Sequence, residues 1–482
     1  MHFSIPDTLE VKDDNGSSYI AYNMHVNGAF HCTVRYRQLY NLFDQLRREF
    51  GPNCLPPFPP KKLLPLTPSQ TEERRAQLEK FIQLVSQDTR VSTSDVFTGF
   101  LLSAQQETQN AKEENVSLDV HLMNWQKINV RISSLARTST LMEAVSKILK
   151  LEEKYISYFC LYLVSKCNNE ISVERKLQDF ESAYLSLKSS GSNYYLVVRK
   201  SYWDPSYDEE LLEDRICLNL LYVQAVSDVE RGWTHTDNES RRKLVALQAR
   251  GSKKEYLQLV RTLKFYGHIQ FRRCICDYPQ PNTNVTVSAG GREIIFHFDS
   301  DPASENKAFF RVTRIKCWRI TTSLSDSTEN SHASPVKLKL ELSFEYLMSK
   351  DHLKWICINS DQAILISVCL QGMVDELLLK RQGGNKIVQK NERTGRRGSW
   401  NYMKRDGSSH QISSSVGRSV STDGIVNSTV REDSSNLIGR SKDQVRRIAG
   451  KFSSKHGSKN GPCPPKPLVE NDAFEGIGDD DL

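Results

Sequence analysis

The sequence contains no apolar stretch that approaches the roughly 18 residues of a transmembrane helix. Its first residues also lack the basic and then apolar run of a signal peptide. The Gly-x-Ser-x-Gly, His-Glu-x-x-His, P-loop and kinase signatures of common enzymes are missing. We therefore expect a cytoplasmic protein that is not an enzyme and needs no cofactor.

The cysteines do not form a metal or redox motif. There are 11 of them, none in a C-x-x-C pair, and the close pair Cys274 and Cys276 has no histidines at zinc-finger spacing. An odd number of thiols in a cytosolic chain is typical of buried apolar side chains. We expect buried thiols and no metal site.

A domain-wide basic field is also lacking. The net charge is +7, but residues 1–380 hold 47 Lys and Arg against 46 Asp and Glu. Proteins that bind nucleic acid usually present a strongly basic face. We therefore expect no nucleic-acid partner.

The surplus of positive charge lies near the C-terminus. Residues 381–470 hold 18 Lys and Arg against 7 Asp and Glu, and Gly, Ser and Asn are frequent there. Such a composition buries too little apolar surface to order itself. It predicts a disordered basic linker over residues 382–470, followed by a short acidic linear motif at residues 471–482.

Residues 1–108 have the pattern of a compact α+β unit. Asn27-Gly28 between two β-prone runs predicts a hairpin over residues 19–35, because a type I′ turn needs φ > 0 at both central positions. The run Thr-Pro-Ser-Gln at residues 67–70 supplies an N-cap, a proline at the first helical position and a capping-box glutamine. Between these elements, the prolines of residues 55–61 predict a stiff extended strap.

Cationic side chains border this strap. Arg35 and Tyr36 end the predicted hairpin, and Lys61 ends the strap. Arginine offers a planar fork of donors that matches two phosphate oxygens at once, and lysine adds a compact charge. The combination predicts a site for a phosphorylated lipid headgroup.

The pattern changes three times between residues 115 and 381. Two short strands, a helix, an apolar run and another strand predict a ubiquitin-like roll at residues 115–200. Helical periodicity predicts a helical lobe at residues 204–268. Strands then return, one of them predicted over residues 309–320, and an amphipathic helix completes a sheet lobe at residues 269–381.

Three separated patterns, in the same order, resemble those of the phox-homology (PX) domain family. They are Arg35-Tyr36-x-x-Leu39, Leu55-Pro-x-x-Pro-x-Lys61 and Glu73-Arg74-Arg75-x-x-Leu78. The resemblance implies phosphatidylinositol 3-phosphate as the ligand of residues 1–108. It also implies one role for each matching residue: Arg35 on the 3-phosphate, Tyr36 against the inositol ring, Lys61 on the 1-phosphate and Arg74 on the ring hydroxyls.

Some positions leave alternatives open. Arg37 stands where the family often has serine, which allows a preference for another phosphoinositide, and Arg75 leaves the position of the second arginine open by one residue. Three leucines beside the strap belong either to the core or to an edge that PX domains insert into membranes. They are Leu63, Leu64 and Leu66.

A PX domain, three lobes, a linker and an acidic tail together resemble the PX-FERM sorting nexins. The roll, the helical lobe and the sheet lobe would then be the F1, F2 and F3 lobes of a FERM module, with F3 resembling a PTB domain. The resemblance implies that F3 binds Asn-Pro-x-Tyr or Asn-x-x-Tyr sequences in receptor tails, by adding the peptide as a strand to a sheet edge. The runs that carry the resemblance are residues 1–6, 199–204, 226–233, 344–351 and 474–482.

The same resemblance implies two further sets of site residues. The cargo groove would contain Trp318, Leu347, Val374 and Leu378. Core packing is the alternative for the last three, because apolar residues at helical spacing usually face the core. Tryptophan is enriched at binding hot spots, although buried tryptophans are common too. The tail would bind Retriever, an endosomal recycling assembly, and a frayed acidic terminus is the alternative. The tail residues implied are Phe474, Ile477, Asp480, Asp481 and Leu482.

We therefore expect a monomeric sorting adaptor, peripheral on early endosome membranes, that diverts receptors from lysosomal degradation to recycling. Its expected partners are phosphatidylinositol 3-phosphate membranes, the tails of integrin β subunits and lipoprotein receptors, and Retriever. An acidic tail on a basic tether also predicts that the tail folds back onto the cargo groove. The alternatives are a FERM-type membrane–cytoskeleton scaffold without such cargo, and a lipid-metabolising enzyme that the PX domain targets to membranes.

Overall fold

Two apolar cores organise the chain in the computed structural model. One core belongs to the predicted PX domain, and the other is shared by the three predicted FERM lobes. The structure describes residues 1–12, 16–62, 64–167, 170–298, 307–324, 338–383, 399–413 and 468–475 of the 482-residue chain.

The predicted PX domain combines a four-stranded antiparallel sheet with four helices. The predicted hairpin is confirmed, and both Asn27 and Gly28 have positive φ. The predicted capping box is confirmed too, since the Thr67 hydroxyl accepts a hydrogen bond from the N–H of Gln70. The elements are β1 Phe3–Ser4, β2 Thr8–Lys12, β3 Ser18–Val26, β4 Ala29–Arg35, α1 Tyr36–Phe50, α2 Pro68–Gln87, α3 Thr89–Ser92 and α4 Asp95–Thr108.

The F1 lobe is a five-stranded mixed sheet with two helices. Its first strand pairs in parallel with its last strand, and the other pairs are antiparallel, as a ubiquitin-like roll requires. The elements are β5 Asn115–His121, β6 Lys127–Ser133, α5 Thr138–Leu149, β7 Phe159–Cys167, β8 Glu170–Lys176, α6 Ala183–Ser190 and β9 Tyr194–Lys200.

The F2 lobe is helical. Asp214 starts its longest helix, because the carboxylate accepts hydrogen bonds from the N–H groups of Ile216 (2.9 Å) and Cys217 (2.8 Å). The elements are α7 Asp208–Leu211, α8 Arg215–Glu230, α9 Asn238–Ala249 and α10 Lys253–Val260.

The F3 lobe is an antiparallel sheet closed by a long C-terminal helix. The predicted single strand over residues 309–320 is wrong, because a 3-10 turn at Val312–Arg314 interrupts it. The turn carries the chain from one partner strand to a different one. The elements are β10 Ile269–Gln270, β11 Cys274–Cys276, β12 Thr283–Gly290, β13 Glu293–Phe298, β14 Lys307–Arg311, β15 Ile315–Leu324, β16 Leu338–Ser349, β17 His352–Asn359 and α11 Ala363–Arg381.

Parts of the predicted linker are folded. A hairpin of β18 Ser399–Met403 and β19 Ser409–Ser413 packs on the PX domain, and β20 Val469–Glu470 pairs with β15. The prediction of disorder over residues 382–470 is therefore wrong at these strands. The aromatic residues Trp400 and Tyr402 are both buried, but the average composition of the whole linker does not reveal such a local pair. Much of the remaining linker lies outside the described residues.

The PX domain also packs directly on F1. The Gln105 amide on α4 donates a hydrogen bond to Ser186 (3.0 Å) and accepts one from the N–H of Ser182 (2.8 Å). His31 stands edge-on to Phe180 of F1, with ring centroids 5.9 Å apart. These buried polar and aromatic contacts hold the PX domain in a defined position on F1.

Candidate functional site

Arg35 lies where the PX sheet meets its first helix. It ends β4 and is the N-cap of α1, and its N–H donates to the side chain of Gln38 (2.8 Å). Its guanidinium carbon is 3.6 Å from the centroid of the Tyr19 ring, and Nη1 donates to the carbonyl oxygen of Arg405 (2.8 Å). The guanidinium thus stands beside a helix N-terminus, where backbone N–H groups favour an anion.

Tyr36 connects Arg35 to the proline strap. Its hydroxyl donates to the carbonyl oxygen of Pro59 (2.7 Å), which fixes the strap against α1. One helical turn later, the ring of Tyr40 lies 3.8 Å below the Lys61 ammonium. Burial raises the pKa of Tyr36, and the positive charge of Arg74 partly offsets that rise.

Arg74 and Arg75 differ sharply in their surroundings. The Arg74 guanidinium lies over the Tyr36 ring, 4.4 Å from its centroid. Arg75 is held by Glu72 (2.6 Å), Glu79 (3.3 Å) and the carbonyl oxygen of Ile5. Of the two arginines, Arg74 therefore joins the Arg35–Tyr36–Lys61 cluster, and Arg75 ties α2 to the N-terminal strand.

The leucines beside the strap and Arg37 differ in their exposure and contacts. Leu64 is 80% exposed and Leu66 is half-buried, while Leu63 lies outside the described residues. Arg37 packs its guanidinium against Gly407 of the linker hairpin. An exposed leucine beside the strap fits the membrane-edge interpretation better than the core interpretation.

The predicted cargo residues do not all lie on one face. The Trp318 side chain is buried, and its indole N–H donates to Ser367 on α11 (2.9 Å). Val374 and Leu378 of α11 pack in the same apolar core. Trp318 pairs with Phe344 of β16, so Leu347, an odd number of residues farther along that strand, points to the opposite face of the sheet.

The edge of the F3 sheet is covered by the chain's own tail. β20 adds antiparallel to β15, with Val469 opposite Trp318 and Glu470 opposite Cys317. The N–H of Asn471 then donates to the carbonyl oxygen of Lys316 (3.0 Å). The tail therefore adds as a strand to an edge of the F3 sheet, which is the mode of binding that the resemblance implies for a receptor peptide.

Asn471 anchors a tight turn at the end of this added strand. Its side-chain amide donates to the carbonyl oxygens of Val312 (2.8 Å) and Ile315 (2.6 Å). Its side-chain oxygen accepts from the N–H of Ala473 (2.9 Å), and the N–H of Phe474 donates to its carbonyl oxygen (3.0 Å). The Asn-x-x-Phe sequence thus folds as a turn whose asparagine is recognised by two backbone carbonyls.

The sequence carried a signal for this turn that composition alone did not show. Residues 471–474 read Asn-Asp-Ala-Phe, which is an Asn-x-x-aromatic pattern like the expected cargo motif. Phe474 was predicted to bind Retriever, and here it is half-buried at the F3 edge. The other predicted tail residues, Ile477, Asp480, Asp481 and Leu482, lie outside the described residues.

The described part of the chain shows neither a membrane-spanning helix nor a metal-ligating cluster. None of the helices there is both long and apolar enough to cross a bilayer. The same residues contain no group of three or more His, Cys, Asp or Glu side chains placed to hold a metal ion.

Four family models match the chain in order. A PX domain model matches residues 22–104, and models of the sorting nexin 17/27/31 FERM F1 lobe and the sorting nexin 17/31 FERM F2 lobe match residues 116–203 and 204–264. A model of the sorting nexin 17 FERM C-terminal domain matches residues 267–378. A PX domain followed by three FERM lobes is the domain set of the PX-FERM sorting nexins.

Full-length relatives narrow this class. The chain is 44% identical to sorting nexin-17 of Homo sapiens over 498 aligned positions and 42% identical to sorting nexin-17 of Danio rerio over 494, with 100% of each chain covered. Identity to sorting nexin-31 of Homo sapiens is 37%, over 81% of this chain and 88% of the relative. The chain belongs to the sorting nexin-17 family. It is an endosomal sorting nexin, a class of generally non-enzymatic adaptors.

Proposed function

We propose that this protein is an adaptor that binds phosphatidylinositol 3-phosphate with its PX domain and Asn-Pro-x-Tyr or Asn-x-x-Tyr receptor tails with its F3 lobe. Through these contacts it diverts receptors from lysosomal degradation to recycling. The tail turn at residues 471–474 is the observation that supports this proposal most strongly, since an Asn-x-x-aromatic sequence already sits on the F3 edge.

Strand addition explains how one groove accepts many receptor tails. Backbone hydrogen bonds to β15 do not depend on the peptide's side chains, so they supply affinity without a preference for one peptide sequence. Specificity comes from the asparagine, because the carbonyls of Val312 and Ile315 require a side chain with two N–H donors at that position. Integrin β and lipoprotein-receptor tails are the cargo that we propose for this groove.

The docked tail competes with cargo for the same edge. The tail pairs with β15 at Cys317 and Trp318, and a receptor peptide that adds as a strand needs the same backbone groups. Glu475 forms an ion pair with Arg381 at the end of α11, which adds an electrostatic contact to the docked tail. A receptor peptide must therefore displace the tail, and displacement frees Phe474 for Retriever.

The PX cluster accounts for the lipid part of the proposal. Arg35, Lys61 and Arg74 each lie over an aromatic ring, and those rings hold the three cations around the strap. Three positive side chains beside a helix N-terminus suit a headgroup with more than one phosphate group. The exposed Leu64 next to the strap would enter the bilayer beside that headgroup.

Hydrogen exchange tests the cargo proposal directly. We expect an Asn-Pro-x-Tyr peptide to raise the exchange of residues 468–475 in the full chain, because the tail leaves, while β15 stays protected by the peptide that replaces it. A peptide with Ala in place of Asn is the control and should leave the tail protected. If the native peptide binds while the tail keeps its protection, the groove is elsewhere and the proposal fails.

A further inference from the structure

The linker hairpin is anchored on the PX domain by two aromatic side chains. Trp400 and Tyr402 are 6% and 2% exposed, and both belong to the PX core. Gly99 of α4 faces the Trp400 ring so closely that a Cβ built there would overlap it. The Tyr402 hydroxyl donates to the Glu107 carboxylate (2.7 Å), so its polar end is also satisfied.

Side chains of the PX helices bind the hairpin's backbone. The Gln45 amide accepts from the N–H of Asn401 (2.8 Å) and donates to its carbonyl oxygen (2.7 Å), as a neighbouring strand would. The Gln38 amide donates to the carbonyl oxygen of Met403 (3.0 Å), and Glu107 accepts from the N–H of Arg405 (2.8 Å). These contacts fix the position of the hairpin strand and of the turn that follows.

This docking brings the hairpin turn to the predicted headgroup site. The carbonyl oxygen of Arg405 accepts from the Arg35 guanidinium (2.8 Å), while the Arg405 side chain donates to Thr108 (2.7 Å) and so turns toward α4. Gly407, with φ +96°, lies against the guanidinium of Arg37. Both arginines at the start of α1 therefore contact the linker.

We propose that the linker hairpin is a component of the headgroup site, in which the carbonyl oxygen of Arg405 positions the Arg35 guanidinium for phosphate binding. The proposal rests on the lipid-binding function proposed above. Arg405 is a positioning residue, since it acts through Arg35. Arg37, in turn, contacts the hairpin and does not bind a second phosphate group.

A fixed guanidinium binds phosphate better because less rotamer freedom is lost on binding. Immobilising a flexible side chain lowers the free energy available for binding, and a contact made before the ligand arrives removes part of that loss. The Tyr19 ring and the Arg405 carbonyl hold two sides of the same guanidinium. A hairpin that instead blocked the site would lower the affinity for the headgroup. Detaching the hairpin therefore distinguishes the positioning role from the blocking role.

Gly99→Ala offers a selective way to detach the hairpin. Alanine is favoured over glycine inside a helix, so α4 itself should gain stability, while the new Cβ expels the Trp400 ring. The Arg405 and Lys404 charges stay in the chain. A chain that lacks residues 399–413 is the second variant, and Gly99→Ala in that deletion is the matched control.

Each chain would be titrated with vesicles that contain phosphatidylinositol 3-phosphate and with vesicles that contain only phosphatidylserine as the anionic lipid. We expect Gly99→Ala and the deletion to weaken headgroup-dependent binding about fivefold. Gly99→Ala should have no further effect in the deletion, and binding to phosphatidylserine should change little in Gly99→Ala. If the hairpin only stabilises the fold, both variants should melt at a lower temperature without this loss of headgroup-dependent binding.

Two results would overturn the inference. Unchanged binding would show that the hairpin does not position Arg35, and tighter binding would show that it closes the site. If the wild type fails to prefer phosphatidylinositol 3-phosphate, the proposed lipid function itself is wrong and the inference falls with it. Protection of the hairpin amides of residues 399–413 from hydrogen exchange, measured without lipid, would then report separately whether the hairpin is docked.

Discussion

At the scale of single residues, neighbouring side chains of the same type have different tasks. Arg74 stands over the Tyr36 ring in the headgroup cluster, whereas Arg75 is held by Glu72, Glu79 and the Ile5 carbonyl. The sequence left the choice between the two arginines open, because both fit the PX pattern. Carboxylates one helical turn away on either side of Arg75 are the local signal for its structural role.

Substituting each arginine should separate lipid binding from stability. We expect Arg74→Ala to weaken binding to phosphatidylinositol 3-phosphate vesicles by about tenfold at an unchanged melting temperature, since it loses one charged contact with the headgroup. Arg75→Ala should lower the free energy of unfolding by about 1–2 kcal/mol, because it breaks a partly buried network. Vesicle sedimentation and thermal melting of both variants test this, and the opposite assignment of effects would contradict it.

Trp318 is another residue whose role depends on burial. The sequence resemblance suggested a contact residue, and the structure shows an indole that is 1% exposed with the tail docked and bonded to Ser367. Trp318→Ala should therefore cost about 3–5 kcal/mol of folding stability, in addition to any effect on cargo. Trp318→Phe, which loses the Ser367 bond but keeps a ring, should cost much less. Chemical denaturation measures both, and a Trp318→Ala variant as stable as the wild type would refute this placement.

At the scale of elements, local signals were reliable where backbone geometry demanded particular residues. Asn27-Gly28 and the Thr67 capping box predicted their turn and helix start because few other residues meet those φ values and hydrogen bonds. The linker hairpin could not be predicted in this way. The hairpin is held by Gly99, Gln38 and Gln45, which lie roughly 300 to 365 residues earlier in the sequence and approach only after folding.

The F3 groove was also only partly predictable from the sequence. The strand-addition edge was expected, but the sequence resemblance also placed Leu347 in the groove, and the pairing of β16 puts it on the other face. The face of the sheet that a residue occupies depends on the register of strand pairing, and that register cannot be read from an isolated run of apolar residues.

Two histidines near the junction of F2 and F3, the buried His268 and the half-buried His297, predict sensitivity to acid. Burial, together with the nearby Lys200 and His297, lowers the pKa of His268 to about 3. Burial, together with Lys307 and His235, lowers the pKa of His297 to about 4. Both side chains are neutral in the folded state at pH 5, whereas in the unfolded chain they titrate near their ordinary pKa of about 6.5. The unfolded state therefore binds more protons below pH 6.5, and stability falls as the pH drops.

His297→Gln should make this pH dependence shallower. Each fully buried histidine contributes at most ~1.4 kcal/mol per pH unit between about pH 6 and its folded pKa, and His297 contributes less because water partly screens it. Glutamine can keep the hydrogen bond to Ser288 and does not titrate. Free energies of unfolding at pH 7, 6 and 5 measure the slope, and identical slopes for wild type and variant would show that His297 does not contribute.

At the scale of the whole molecule, the chain's own ends and linkers occupy the surfaces proposed for its partners. The hairpin turn contacts Arg35 in the PX domain, and the tail fills the edge of F3. The three FERM lobes share one core, and the ion pairs from Asp204 to Arg292 and Lys380 join F2 to F3. We expect this shared core to keep the proposed F3 groove intact when the tail leaves it, although Ala473 of the docked tail also packs in it.

Calorimetric titration of an Asn-Pro-x-Tyr peptide into the full chain and into Asn471→Ala tests the central claim most directly. The substitution removes two hydrogen bonds that hold the tail, so we predict micromolar binding to the wild type and roughly tenfold tighter binding to the variant. Asp472→Ala, which changes an exposed tail side chain, should bind like the wild type. Equal affinities for Asn471→Ala and the wild type, or no binding to either, would contradict the account.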